Sequence, residues 1–329
     1  MMPRPVDSDV PLPTIGGLLV ELPLRDASIR PSGAPSVITV GVDRLGNVPT
    51  VEAKHFDLLL TTAKMSARPW VSVGGDIDAE LARLADRIHQ RPCASATLAQ
   101  VLRVTENLDV PDALIVESLA YSTLLGGSEF REWRRARAVR TSKENSRTRV
   151  RFTREADSVC IYLANPERLN AFDARMRDDL VEALSALIDD PTVESLTLRG
   201  DGRAFSSGGD LDEFGSTPDL ATAHAIRTSR SPALLVHQLR QLTTAYLHGA
   251  CIGAGIEVPA AAQRVIAQEG SSFRLPEIGM GLIPGAGGTV TISRRIGRHR
   301  TLYWALSDQT LDVRIAKEWG LIDGVGDAS

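Results

Sequence analysis

Residues 242–262 read LTTAYLHGACIGAGIEVPAAA, and this stretch decides the fold. Its first half is an apolar run that predicts a buried strand. Its second half turns on glycines, and Glu257 then falls in the first turn of a predicted helix. Pro259 fits that placement, because proline is tolerated where backbone N–H groups have no intrahelical partner. The same succession recurs upstream. SLTLRG (195–200) predicts a buried strand, and RAFSSGGDLDEF (203–214) a second glycine turn leading towards a helix.

Further strands and helices alternate around these two joints. Residues 150–166 predict two short strands, and RVIAQEG (264–270) another. Residues 171–190 predict an amphipathic helix with Met176, Leu180, Leu184 and Leu187 on one stripe. This rhythm predicts an α/β domain built on a mainly parallel sheet. The N-terminal part differs in texture. SVITVGV (36–42), FDLLLTT (56–62) and PWVSVGG (69–75) read as short extended segments, and helical patterns follow from Asp76, a predicted N-cap, to about Arg137. The polar stretch TSKENSRT (141–148) places a domain boundary between an N-terminal extension, 1–145, and a C-terminal domain, 146–329.

Composition excludes several classes. The 329 residues are 43% hydrophobic and 24% charged, the balance of a soluble globular chain. The net charge of −4 gives no global field for nucleic acid or an anionic membrane. The basic stretch from Arg131 to Arg149 reads as a solvated helix end and linker, with a phosphate-binding patch as the alternative. Three dispersed cysteines form no CxxC or zinc pattern, so no metal is expected. No apolar stretch approaches the roughly 20 residues that span a bilayer. A reduced cytoplasm is the expected compartment.

The chemistry concentrates at the two glycine turns. Such turns present backbone N–H groups that no side chain covers, and a convergent pair can hold an oxyanion or a phosphate. Neither is GxGxxG or GxxxxGK[ST], so the usual nucleotide motifs do not apply. Glu257 and Glu277 stand among small and apolar residues. A buried carboxylate pair has its pKa values pushed apart, which suits acid and base roles. Local capping is the alternative reading of each.

At these residues the chain resembles the crotonase superfamily, the enoyl-CoA hydratase/isomerase fold. The resemblance rests on 165–176, 200–214, 248–257, 273–297 and 314–325, in the family's order. It implies a ββα spiral core acting on acyl-CoA thioesters, with no cofactor beyond the substrate's own coenzyme A. It implies an oxyanion hole from the N–H groups of Gly209 and Ala254, and a catalytic pair Glu257 and Glu277 that adds water across an α,β double bond. It further implies thioester and CoA contacts by Arg168, Leu169, Ala171, Ser207, Gly209, Asp210, Leu211, Asp212 and Gly253. A homo-oligomer, trimer or hexamer, is the family expectation. The resemblance leaves open an enoyl-CoA isomerase, a cofactor-independent arylacetyl-CoA dioxygenase and a non-catalytic acyl-CoA-binding subunit.

Two departures accompany it. The family normally continues past GLIDGV with helices that cover the acyl pocket and assemble trimers. Residues 1–145 are foreign to a minimal hydratase, and DALIVESLAYSTLLGGSEFREW (112–133) resembles the helical region of the cofactor-independent dioxygenases of dihydroxyphenylacetyl-CoA. The expectation is that helices at 76–137 take over the covering role.

Overall fold

The computed structural model describes residues 19–24, 36–138, 147–217 and 219–327. The N-terminal part opens with a parallel sheet of β1 (Leu19–Glu21), β2 (Ile38–Asp43), β3 (Leu58–Thr61) and β4 (Val71–Ser72). Four helices follow: α1 (Ile77–Gln90), α2 (Pro92–Thr105), α3 (Val110–Leu125) and α4 (Ser128–Arg135). Asp76 caps α1 as its sequence predicts, accepting from the Ala79 N–H. The boundary stretch 141–148 falls largely outside the described residues.

The C-terminal part is a spiral of two sheets. β5 (Val150–Glu155) pairs antiparallel with β6 (Ser158–Leu163). α5 (Ala174–Ile188) then crosses to β7 (Ser195–Gly200), burying Met176, Leu180, Leu184 and Leu187. α6 (Leu220–Ser229) and α7 (Pro232–Gln238) lead to β8 (Thr243–Leu247). From there the chain alternates between sheets. β9 (Ala250–Ile252) leaves the large sheet and is followed by one helical turn, α8 (Ala254–Glu257); β10 (Arg264–Ala267) returns to it; β11 (Ser272–Arg274) leaves again. After α9 (Gly288–Ile296) and α10 (Arg298–Ser307), β12 (Leu311–Asp312), α11 (Val313–Trp319) and β13 (Gly324–Val325) complete the described elements. The large sheet runs β13-β10-β8-β7-β6-β5 and the small one β12-β11-β9.

Two local expectations are corrected. No helix follows the first glycine turn until α6. The Asp210 carboxylate takes the Asp212 N–H, and Gly215 adopts a left-handed φ of 72°, so 211–215 forms turns. The predicted helix at Glu257 is also shorter than expected. It ends within one turn, and Pro259 instead opens a 3-10 segment at Pro259–Ala261.

One apolar core runs through both parts of the chain. Leu84, Leu98, Leu102 and Phe130 belong to the same buried cluster as Ile292, Leu302 and Trp304. Arginines tie the two parts together. Arg298, 5% exposed, donates to the Phe56 carbonyl at 2.8 Å and to Glu106 at 2.9 Å. Arg300 donates to the carbonyls of Trp70 and Ser66. Within the basic stretch read as a solvated helix end and linker, one arginine joins the two parts and another pairs within the C-terminal part. Arg134 donates to the Asp212 carbonyl, and Arg149 pairs with Asp173 at 3.1 Å. Arg140 and Lys143 lie outside the described residues.

Gly281 shows how tight this joint is. Its φ is 74°, and a Cβ there would sit 2.7 Å from backbone atoms of Glu129 and Phe130. Gly281→Ala is expected to lower stability by about 1–3 kcal/mol, from overpacking and an unfavourable φ. A urea transition with an unchanged midpoint would contradict that packing.

Candidate active site

The parallel register of the small sheet builds the site. Ser206 bridges Cys251 in parallel, so residues three further along each chain, Gly209 and Ala254, emerge side by side. The two turns cross at close range, and glycine is required for it. A Cβ on Gly208 would lie 2.5 Å from the Ile252 carbonyl oxygen, and one on Gly255 2.5 Å from that of Ser206. Gly209 also bridges Phe172, but the bonds of that bridge use the N–H groups of Phe172 and Asp210. Among the described residues, neither the Gly209 nor the Ala254 N–H donates to a protein acceptor. Both residues line a cavity of about 280 Å³.

The same register brings in the carboxylates. β11 runs parallel to β9, and the Gly253 N–H bonds the Arg274 carbonyl at 3.0 Å. The chain beyond β11 therefore passes alongside α8, and Glu277 meets Glu257 at Gly253. A Cβ on Gly253 would lie 2.5 Å from Glu277 Oε1 and 3.7 Å from Glu257 Oε1. The φ of Gly253, 50°, also favours glycine.

The two carboxylates differ in their partners. Glu257 Oε2 accepts from the N–H groups of Ala286, at 2.8 Å, and Gly288, at 2.9 Å. Glu277 Oε2 is buried with no hydrogen-bond partner. Burial pushes Glu257 up to about 7, against the pull of its two N–H donors. Burial, with Glu257 beside it, holds Glu277 well above the usual carboxylate range.

A third carboxylate, Glu117 of α3, was not singled out from the sequence. It is 2% exposed and lines the same cavity. Oε1 accepts from the Gly287 N–H at 2.7 Å; Oε2 accepts from the N–H and hydroxyl of Thr289 at 2.9 and 2.6 Å. Burial, and then the Glu257 charge, push it up to about 8. The signal that could have found it is a charge on the buried stripe of α3, between Leu114 and Tyr121. Tyr121 and Arg227 were missed as well. Both line the cavity, with the Arg227 guanidinium 4.9 Å from the Tyr121 ring and hydrogen-bonded to Ser118 and Ser122.

Of the residues expected to form the site, Gly209, Asp210, Ala254, Glu257 and Glu277 line the cavity together. Arg168, Leu169, Ala171, Ser207, Leu211, Asp212 and Gly253 are not among its lining residues. Several of them support the wall instead. Arg168 pairs with Asp210 at 2.9 Å and with Asp212 at 3.5 Å, and the Ser207 N–H bonds the Leu169 carbonyl. Among the described residues, no cluster of His, Cys, Asp and Glu suits a metal ion, and no helix is long and apolar enough to cross a membrane.

The raised carboxylates fix a pH dependence of stability. The unfolded chain releases these protons near pH 4.5, whereas the folded chain gives up those of Glu257 and Glu117 only near 7 and 8, so across that window their contribution favours unfolding increasingly as pH rises. Melting temperatures of wild type and Glu277→Gln should therefore diverge over that range, with wild type losing more on going to pH 8. Parallel curves would contradict a raised Glu277.

Comparison with known proteins agrees with the fold and the order of these segments. The enoyl-CoA hydratase/isomerase family model matches residues 154–327, and the chain belongs to that family. A probable enoyl-CoA hydratase, echA8, of Mycobacterium bovis is 30% identical over 167 residues, which is 50% of this chain and 63% of that protein. The 1,2-epoxyphenylacetyl-CoA isomerase of Escherichia coli is 34% identical over 176 residues, 51% of this chain and 66% of that one. The chain thus spans just under two thirds of these relatives. The crystal structure of an enoyl-CoA hydratase from Thermoplasma volcanium superimposes with a TM-score of 0.51 at 31% identity, covering 55% of this chain and 73% of that one.

Proposed function

We propose that the chain is an enoyl-CoA hydratase, whose only coenzyme is the coenzyme A carried by its substrate. The observation that carries this reading is the meeting of Glu257 Oε1 and Glu277 Oε1 at Gly253, beside two N–H groups without protein acceptors. The thioester oxygen accepts from Gly209 and Ala254, where negative charge develops as the enolate forms. Glu257, its Oε2 held by two N–H donors, is the ionised partner and takes a proton from water. Glu277, unpaired at Oε2, is the protonated partner and gives its proton to Cα. Hydroxyl adds to Cβ, the enolate collapses, and proton exchange with solvent resets the pair.

The helices of the N-terminal extension take the covering role in this reading. α3 contributes Leu114, Glu117, Ser118, Tyr121 and Leu125 to the cavity wall. A trimer or hexamer remains the expected assembly. An absorbance assay with a panel of enoyl-CoA and arylacetyl-CoA thioesters, run with an oxygen electrode, tests the reaction. Loss of the conjugated-thioester band without oxygen uptake is expected. Oxygen uptake with an arylacetyl thioester, or no reaction with any enoyl thioester, would overturn it.

A further inference from the structure

We propose that Glu117, supplied by the N-terminal extension, is a positioning residue for Glu257. The inference deepens the proposed function, since it rests on Glu257 being the group that handles water. Its warrant is the way two carboxylates share one stretch of backbone. The N–H groups of Ala286, Gly287, Gly288 and Thr289 point alternately to Glu257 and Glu117, at 2.8, 2.7, 2.9 and 2.9 Å. These groups lie at or just before the start of α9, where N–H groups lack intrahelical partners and the helix end favours negative charge. Glu257 thus rests on a segment that Glu117 holds from the other side.

The glycines fit this arrangement. A Cβ on Gly288 would lie 2.6 Å from Glu257 Cγ, and one on Gly285 2.2 Å from the Tyr121 ring. The loop is pressed between α3 and α8, with little room to move. All the acceptor atoms of Glu117 used by this segment come from a helix some 170 residues away in sequence. Without them, the loop that supports Glu257 Oε2 loses its anchor, and Glu257 Oε1 loses its fixed aim at the cavity.

The surroundings of Glu257 set the order in which the pair ionises. Glu257 is faced by Glu117 and Tyr121 of α3, by Glu277, and more distantly by Arg227 of α6 through its contacts with Tyr121 and Glu117; Asp308 acts on Glu277. Glu257 ionises first and its charge then raises Glu117, so Glu117 acts on Glu257 through the backbone segment they share and not through its own charge.

The test uses the full chain in three forms: wild type, Glu117→Gln and Glu117→Ala. Carbon-13 NMR of the glutamate carboxyls, with the Glu257 signal assigned by its loss in Glu257→Gln, reads the Glu257 titration without any need for turnover. In Glu117→Ala the Glu257 midpoint is expected to rise, because the Ala286 and Gly288 N–H groups that favour its ionised form are no longer held in place, while Glu117→Gln, which keeps the size and one acceptor, leaves it nearly unchanged. In Glu117→Ala, kcat for hydration is expected to fall by about 100-fold with KM nearly unchanged, the signature of a misplaced group. An unchanged Glu257 midpoint in Glu117→Ala overturns the proposal, as does a rise in KM with kcat retained in that variant. If wild type hydrates no enoyl thioester, the proposed function fails, and the NMR titration still decides the role of Glu117.

Discussion

Glu277→Gln is expected to lower kcat for the hydration of crotonyl-CoA by about 100- to 10,000-fold, the range that one positioned proton donor supplies. Glutamine keeps the volume of the side chain, so the packing against Gly253 survives. What it lacks is a proton that can leave. Glu277 is the group whose surroundings hold it protonated: it is buried, Oε2 is unpartnered, and Glu257 and Asp308 add like charge. Thioester binding should persist, so KM should move little while kcat collapses. Wild-type kcat in this variant would remove Glu277 from the chemistry. The matching Glu257→Gln should lose comparable activity, but it also places an amide NH₂ near the N–H groups of Ala286 and Gly288, so part of its loss would be positional.

Ala254→Pro has the second large expected effect, and it tests the backbone. Ala254 is the first residue of α8, a position where proline's fixed φ is tolerated. Gly253 precedes it with a φ of 50°, which a glycine can hold. The substitution removes one N–H from the proposed oxyanion hole and leaves every side chain of the site in place. Loss of one such donor lowers kcat by about 100- to 1,000-fold. The proline ring also occupies space beside the thioester oxygen, so a rise in KM is expected in addition. A variant that folds and keeps wild-type kcat would mean that the Ala254 N–H does not touch the reacting oxygen.

The sequence made the centre of the site legible because its parts lie at fixed distances along a sheet. Gly209 and Ala254 each follow a paired residue by three positions, and Glu257 and Glu277 follow the second and third strands of the same ladder. Strand runs and glycine turns are local signals, so the two turns and the glutamates after them can be read without coordinates, whereas singling out the N–H groups of Gly209 and Ala254 rests on the family resemblance. The glycine-rich loop at 285–288 was legible as a loop only. Its purpose is to present backbone to two carboxylates, and that depends on contacts the local pattern does not contain.

Other features were beyond local reading for physical reasons. The helix expected after Gly209 does not form, because Asp210 takes a nearby N–H and Gly215 turns the chain. Glu117 is made functional by a partner 170 residues away. The short N-terminal strands form a parallel sheet, and the Phe56 and Trp70 carbonyls of the segments leading into β3 and β4 are bonded by Arg298 and Arg300 of α10, again a distant pairing. Both arginines are buried and bonded to carbonyl groups. The binding positions implied by family resemblance, such as Arg168 and Leu169, proved to stand beside the cavity wall and outside its lining.

The most direct measurement of the central claim follows the atoms of water. Crotonyl-CoA is incubated with the full chain in oxygen-18 water, and in parallel in heavy water, and the product is analysed by mass spectrometry. The account predicts a 3-hydroxyacyl thioester that carries one solvent oxygen at Cβ and one solvent hydrogen at Cα, both lost in Glu277→Gln. Unlabelled, unchanged thioester from the wild-type protein, or solvent hydrogen without solvent oxygen, would contradict it.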